Sequence, residues 1–318
     1  MIVLVTNKVD LAADRVVDEL ARRATSFVRL NTEDFPSAIH CRYRLGADGL
    51  RAELDLGRGR SIVPDEVRAV WYRRPEPPTI DPGVTDPVAR RFAASESTAV
   101  LRGFLALANR ATWVNDPAAN RVAEHKVVQL RLAAEEGFAV PETLVTNVPR
   151  EAADFCERFE GRVVAKGAGP GFVHPVSRAQ IYTNRVRAEH LAFLGDLRHS
   201  PVVLQEYVDK ALELRVTVVG ERVFAAEIDS QSTPTTTDDW RRDAFSAPHR
   251  LHRLPDTVAE RCRRLARRFG LVFGALDLIL TPPGDYVFLE LNPNGEWDWI
   301  EAMTGTPIAA ALADVLTS

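Results

Sequence analysis

The 318-residue sequence has little cysteine: Cys41, Cys156 and Cys262 are odd in number, far apart and without CxxC or Cys/His spacing. Neither a disulfide framework nor a zinc site is expected from them. Long apolar runs are also missing, and no segment approaches the length of a membrane span. The opening MIVLVTNKVD has an apolar run of only five residues and no basic n-region, so it reads as a first β-strand rather than a targeting segment. The expectation is a soluble cytoplasmic protein with no membrane partner. Nor is there an excess of positive charge: 40 Lys and Arg stand against 44 Asp and Glu, for a formal net charge of -4, so no basic field argues for nucleic acid. Internal repeats and low-complexity tracts are absent. What is present is length enough for a sizeable core and two or three lobes.

Strands and helices alternate at the start. An apolar strand at 2–6, an amphipathic helix at 10–24 with Val16, Val17 and Leu20 on one face, and a strand at 27–31 make a βαβ unit and imply a parallel pair. Residues 40–56 alternate as a hairpin around Ala47, Asp48 and Gly49. A strand at 67–74 runs into the Pro-rich stretch 75–87, followed by a helical run to about Asn109. A helix over 121–137 stopped by Gly137, a strand at 143–147, a helix at 150–159 and a strand at 162–166 follow. Then come a strand at 202–208, a long hairpin at 212–229 turning at Gly220 and Glu221, a helix at 257–270 and two last strands. Residues 230–256, rich in Ser, Thr and Asp, read as a mobile loop. The division expected is residues 1–112, 113–200 and 201–318.

The strongest chemical signal is 286-YVFLELNPNGEWDWIE-301 together with Asp277 in 271-LVFGALDLIL-280. An apolar strand does not continue into Glu290 and Asn292 unless those oxygens are wanted there, and alternation puts both on one face. If the two strands pair through 282-PPGD-285, Asp277 joins them, and three hard oxygen donors suit Mg²⁺ better than zinc. The competing explanation is buried polar residues satisfied by backbone donors; no other residue offers these carboxylates an obvious buried cationic partner. Lys166 ends the strand Val163, Val164, Ala165 beside 167-GAGPG-171, placed to put an ammonium among phosphate oxygens; the loop lacks the GxxxxGK[ST] pattern, so a P-loop fold is not supported. Lys126 lies inside the 121–137 helix, where alone it reads as a solvated lysine. The segment 205-QEYV-208, Gln205, Glu206, Tyr207 and Val208, ends an apolar strand where a purine edge can be read by backbone groups, and Glu213 can accept from ribose hydroxyls.

Taken together, these residues resemble the ATP-grasp carboxylate–amine ligases. The pieces 71-WYRRP-75, 213-ELRVTVVG-220, 229-DSQ-231, 239-DWR-241 and 292-NPNGEWDWIE-301 resemble, more narrowly, the microviridin/marinostatin-type peptide maturases, the ω-ester peptide or graspetide synthetases. The resemblance covers nearly the whole chain. It implies an α/β fold with α+β lobes, an ATP-grasp fold preceded by a pre-ATP-grasp domain, using ATP and Mg²⁺. It implies an ADP-forming ligase that phosphorylates Asp or Glu side chains of a ribosomal precursor peptide and closes lactones with Ser or Thr, or lactams with Lys. The partner is then a precursor peptide with a leader, and a homodimer is a possible assembly. In that chemistry Asp277, Glu290 and Asn292 hold the metal, and Lys126 and Lys166 hold outer phosphate oxygens. Arg215, two residues after Glu213, grips the transferring phosphate unless it pairs with an acidic residue such as Glu227. Arg241 contacts substrate or phosphate. Of Arg73 and Arg74, which alternate, at most one clamps a substrate carboxylate, and His174 is a further substrate contact or a surface loop histidine. Trp297 and Trp299 wall the site or fill the core, with one of the two in the core. The arginines of helix 257–270 read as a solvated face, and a leader would dock near 187–197 and the hairpin 215–226. Two other readings stay open: an amino-acid or protein-tail carboxylate–amine ligase, and a nonenzymatic ATP-gated peptide-binding protein.

Overall fold

The computed structural model of the protein describes residues 1–169, 182–243 and 247–318. Its contacts group the chain into two compact units, Met1–Pro117 with Pro307–Ser318, and Ala118–Thr306. The three-part division expected from the sequence is a finer one, and it assigned the last helix to the C-terminal part rather than to the first unit.

In the first unit, β1 (Ile2–Thr6) is buried at every position, as a central strand of a parallel sheet must be. Helix α1 (Leu11–Arg22) starts where the Asp10 side chain accepts from the Ala13 amide at 3.1 Å. It returns the chain to β2 (Phe27–Asn31), which pairs in parallel with β1. The hairpin follows as β3 (His40–Gly46) and β4 (Gly49–Asp55), with β5 (Ser61–Ile62) added to it. Strand β6 (Ala69–Tyr72), helix α2 (Pro87–Ala106) and β7 (Thr112–Val114) complete the parallel sheet in the order β2-β1-β6-β7. Leu101, Phe104 and Leu105 of α2 close a core with Leu54 and Ile62 of the small sheet and with Val3, Val5 and Leu30 of the large one. The chain's last helix, Ile308–Thr317, packs on α1, where Asp314 accepts from Arg23 at 2.7 Å.

The second unit holds two sheets. The helix expected over 121–137 is broken: α3 (Pro117–Ala123) ends, and α4 (Lys126–Glu135) restarts behind the extended His125. Lys126 is therefore the first residue of a helix, not an interior one. A four-stranded sheet in the order β10-β9-β11-β8 contains β8 (Thr143–Thr146), β9 (Val163–Lys166), β10 (Asn184–Arg185) and β11 (Val202–Glu206). Its core is closed by Phe155 and Cys156 of α5 (Pro149–Arg158), while α6 (Ala188–Leu191) follows β10. The five-stranded sheet, order β14-β13-β12-β15-β16, contains β12 (Leu212–Val219), β13 (Arg222–Ile228), β14 (His249–Leu251), β15 (Phe273–Leu280) and β16 (Tyr286–Asn292). The β12–β13 loop is Gly220 and Glu221, and Gly220 takes φ 56°, the left-handed value that a tight two-residue hairpin requires. One face of this sheet is apolar: Leu214, Val216, Leu276, Leu278, Phe288 and Leu291 pack against α4 and against Val258, Cys262 and Leu265 of α7 (Asp256–Arg268). Alternation leaves the opposite face free for polar side chains. Helix α8 (Asp298–Thr304) follows β16.

Residues 230–243 are not the loose segment expected. Thr236 Oγ1 donates to Ser230 O at 2.7 Å, both residues are fully buried, and Trp240 is buried against Trp299 with ring centroids 5.0 Å apart.

Candidate active site

The polar face of the five-stranded sheet carries one continuous row. Arg215 of β12 lies opposite Asp277 of β15, which lies opposite Glu290 of β16. The next row on that face is Thr217, Ala275 and Asn292. The register shifts between Asp277 and Leu278: Asp277 pairs with Glu290 but Leu278 pairs with Phe288, leaving Leu289 as an extra residue in β16. A bulge of this kind turns two consecutive side chains to one side. Leu289 and Glu290 accordingly both line the same cleft. Glu290, Asn292 and Asp277 thus converge as the strand pattern predicted, but the bulge that supplies an apolar neighbour beside them carries no sequence signature.

The expectation that these carboxylates lack buried cationic partners is wrong. Arg215 Nη1 donates to both oxygens of Asp277 at 2.9 and 3.0 Å, and its Nη2 donates to Glu296 O at 3.0 Å. Lys126 Nζ donates to Glu290 Oε2 at 2.8 Å, Asn292 Nδ2 donates to Glu290 Oε1 at 3.3 Å, and Arg241 Nη1 stands 3.9 Å from the same oxygen. Glu227, the alternative partner considered for Arg215, instead sits next to it on β13 opposite Leu214 and holds His252 Nδ1 at 3.0 Å. The environment splits the two facing carboxylates. Burial pushes Asp277 up to about 6 despite Arg215. Burial would raise Glu290 as well, but Lys126, Arg241 and Lys166 outweigh it and hold Glu290 well below the usual carboxylate range.

The cleft beside this row has a volume of about 580 Å³ including its open mouth. Val164, Ile279 and Leu289 give it apolar walls; Lys166, Gln205, Glu206, Tyr207, Val208, Glu213, Arg241, Asp277 and Glu290 line it as well. Burial lowers the Lys166 ammonium to about 8. Sequence reasoning brought all of these polar residues forward, but missed four that position them. Lys210 Nζ, almost buried, donates to Glu213 Oε1 at 2.9 Å and to the carbonyls of Thr237 and Asp238. Asp239, 4% exposed, accepts from Arg241 Nε and Nη2 at 2.8 and 2.6 Å and from the Thr183 amide at 2.9 Å. Burial works against the Arg241 charge, but Asp239 more than compensates and keeps it protonated. Gln129, one turn after Lys126, donates to Leu291 O at 2.7 Å and accepts from Leu291 N at 2.9 Å, which pins α4 to β16 and aims Lys126 at Glu290. Gly295 lies against Ala275 and Arg215 with no room for a side chain. The pairs Lys210/Glu213 and Asp239/Arg241 were readable as short-range charge pairs; Gln129 and Gly295 had no local signal.

Arg73 and Arg74 belong to the first unit. Arg73 is fully buried, with Nε 3.7 Å from Asp10 Oδ2 and its guanidinium carbon 6.0 Å from the Trp71 ring centre, whereas Arg74 is exposed, as their alternation anticipated. His174 lies outside the described residues. Trp297 is fully buried and Trp299 half-buried against Trp240 and His249.

Comparison with known proteins agrees with this geometry. Residues 1–121 match the family described as the MvdD pre-ATP grasp domain. The macrocyclase MdnB from Microcystis aeruginosa MRC is 33% identical, with a TM-score of 0.81, covering 99% of this chain and 98% of that one. The chain belongs to the ATP-grasp ligases of ribosomal-peptide maturation. An ATP-grasp ligase of Chryseobacterium gregarium, solved with ADP and with a leader and core peptide, is 29% identical with a TM-score of 0.90, covering 99% and 96% of the two chains. A probable alpha-L-glutamate ligase of Enterobacter sp. (strain 638) is 29% identical over 228 residues, 68% of this chain and 70% of its own length. The α/β architecture is thus an ATP-grasp fold with a pre-ATP-grasp domain at its N-terminus, and the protein is an ATP-dependent ligase. Among the described residues no helix is long and apolar enough to cross a membrane.

Proposed function

We propose that the protein uses ATP to phosphorylate Asp or Glu side chains of a leader-bearing ribosomal precursor peptide and closes the rings with Ser or Thr hydroxyls, or with Lys amines. The observation that carries this is the Arg215–Asp277–Glu290 row with Lys126, Lys166 and Arg241 around it, beside an apolar-walled cleft. The cleft suits a purine between Val164, Ile279 and Leu289, with Glu206, Tyr207 and Val208 along its edge and Glu213 near the sugar. Asp277, Glu290 and Asn292 offer only hard oxygen donors, which fits Mg²⁺. Among the described residues no group of three or more His, Cys, Asp or Glu side chains comes together, so a cation here needs Asn292 and further oxygens from phosphate or water. Mg²⁺ bound there would neutralise phosphate charge and polarise the transferred phosphoryl group.

The side chains supply the rest. Lys166 and Lys126 hold phosphate oxygens, and Arg215 and Arg241 hold the planar carboxylate and the acyl phosphate that forms from it, which suits a guanidinium's paired donors. In the first step the peptide carboxylate oxygen attacks the γ-phosphorus and ADP leaves. In the second the hydroxyl or amine attacks the acyl carbon, and inorganic phosphate leaves and takes up the proton that the nucleophile gives up, giving an ester or amide. No protein nucleophile is needed, because the arginines and lysines stabilise the charge that develops at each step. Arg74, exposed at the end of β6, is proposed as a contact for acidic peptide side chains. Incubation with ATP, Mg²⁺ and acidic, Ser/Thr/Lys-rich peptides encoded beside the gene is expected to give ADP and peptides lighter by one water per ring. Unchanged mass with every such peptide would sink the proposal. The match to the glutamate ligase favours a second reading, which robust phosphate release with free glutamate and no peptide would support.

A further inference from the structure

Lys166 stands apart from the other cations of the cleft in what it rests on. Lys126, Lys210, Arg215 and Arg241 each hold a carboxylate, but Lys166 Nζ donates to the amide oxygen Oε1 of Gln205 at 2.7 Å. Gln205 is 2% exposed, and its Nε2 donates to Thr143 Oγ1 at 2.9 Å; Thr143 Oγ1 in turn donates to Pro141 O at 2.9 Å. The direction of this chain is fixed by its ends. An ammonium can only donate and a carbonyl can only accept, so the hydroxyl must give its proton to Pro141 and take one from Gln205, and the amide must turn its oxygen to Lys166. The chain crosses three adjacent strands. Thr143 of β8 lies directly opposite Gln205 of β11, and Lys166 of β9 lies diagonal to it, two residues beyond Val164.

We propose that Gln205 and Thr143 are positioning residues for Lys166: they orient an uncharged acceptor that holds the ammonium at the cleft wall and leaves its remaining donors for phosphate oxygens. This deepens the nucleotide reading of the cleft and rests on it. A carboxylate at position 205 would compete with phosphate for the ammonium, as a charge-assisted bond is stronger than one to an amide oxygen. Without the hydroxyl at 143 the buried Nε2 loses its acceptor, and nothing but the ammonium itself then fixes the plane of the amide that carries Oε1. Gln205, expected from the sequence to touch the nucleotide, then acts through Lys166 instead.

The test uses the full chain, with ADP binding by calorimetry, steady-state kinetics with ATP and peptide, and thermal unfolding. Thr143→Val keeps the shape and removes the hydroxyl; it should weaken ADP and raise KM for ATP by about tenfold while kcat stays within about twofold. Thr143→Ser should restore both. Gln205→Glu should likewise weaken ADP about tenfold without lowering the melting temperature, and it serves if the Val variant does not fold. A Thr143→Val protein that binds ADP like the wild type overturns the proposal alone, as does equal weakening by Val and Ser. Absence of ADP binding by the wild type overturns the nucleotide reading and this one with it.

Discussion

Replacing Gly295 by alanine should impair the reaction far more than nucleotide binding. A Cβ built at Gly295 falls 2.5 Å from Ala275 Cβ, 2.7 Å from Arg215 Nη2 and 3.2 Å from Asn292 Cβ. Carbon atoms pack at about 3.5–4.0 Å, so relief needs a movement of about 1 Å. Two of the three obstacles are Cβ atoms fixed to strands, and only the Arg215 guanidinium can give way. It is held between Asp277 on one side and Glu296 O on the other, so lifting the 293–297 segment would pull the same donor that pushing it displaces. Overpacking of this size costs about 1–3 kcal/mol of stability. A displacement of about 1 Å in a charged group that aligns reactants costs about a hundredfold in rate. Gly295→Ala should therefore unfold at moderately lower urea, bind ADP within about threefold of the wild type, and turn over peptide about a hundredfold more slowly. The control is Gly284→Ala in the β15–β16 turn, where φ is +100° and nothing lies within 4 Å, so backbone strain should lower stability and leave turnover unchanged. Wild-type turnover by Gly295→Ala would refute the argument that this glycine exists to let the loop seat on Arg215.

Two further outcomes follow from the same geometry. Because burial lowers Lys166 to about 8, the free protein carries this charge below that pH and loses it above. ADP affinity should thus fall as pH rises beyond about 8, and Lys166→Met should bind weakly with no such fall; a parallel profile for the two proteins above that pH would remove Lys166 from the phosphate site. Arg185 Nε donates to Asp238 Oδ1 at 3.0 Å, and its guanidinium lies 3.6 Å from the centre of the Tyr207 ring, so it ties β10 to the segment that carries Asp239 and Arg241. The pair is partly exposed and should add less than about 1 kcal/mol to stability. Yet Arg185→Gln and Asp238→Asn should each slow turnover severalfold, and the double variant should be no slower than the worse single one; additive losses would show that the two residues act separately.

The strand chemistry was legible because alternation is a strong constraint: Asp277, Glu290, Asn292, Glu213 and Arg215 each interrupt an apolar strand on the same face. Lys166, Gln205 and Tyr207 were legible because they end apolar strands at a cleft edge. Less of the helical contribution could be read. The sequence over 121–137 is helical in composition throughout, and the break at Glu124 and His125 that brings Lys126 to a helix start depends on tertiary contacts such as Gln129 to Leu291. The ordering of residues 230–243 was missed for a related reason. Their Ser, Thr and Asp side chains read as solvent-seeking, but here they satisfy one another and the backbone, as Thr236 does with Ser230.

The misjudged charge partners carry the more general point. Isolated carboxylates on a buried face are costly, and so are isolated ammonium and guanidinium groups. In this protein most of these groups solve the problem by pairing within the site: Arg215 with Asp277, Lys126 with Glu290, Arg241 with Asp239 and Lys210 with Glu213. On the proposed reading, phosphates and a hard cation enter a site whose opposite charges are already matched, and binding exchanges partners rather than uncovering bare charge. Lys126 and Arg215 then have their carboxylates to share, whereas Lys166, resting on an amide, has nothing ionic to release. That difference makes Lys166 the cation whose hold on phosphate depends least on the metal and most on the hydrogen-bond chain behind it.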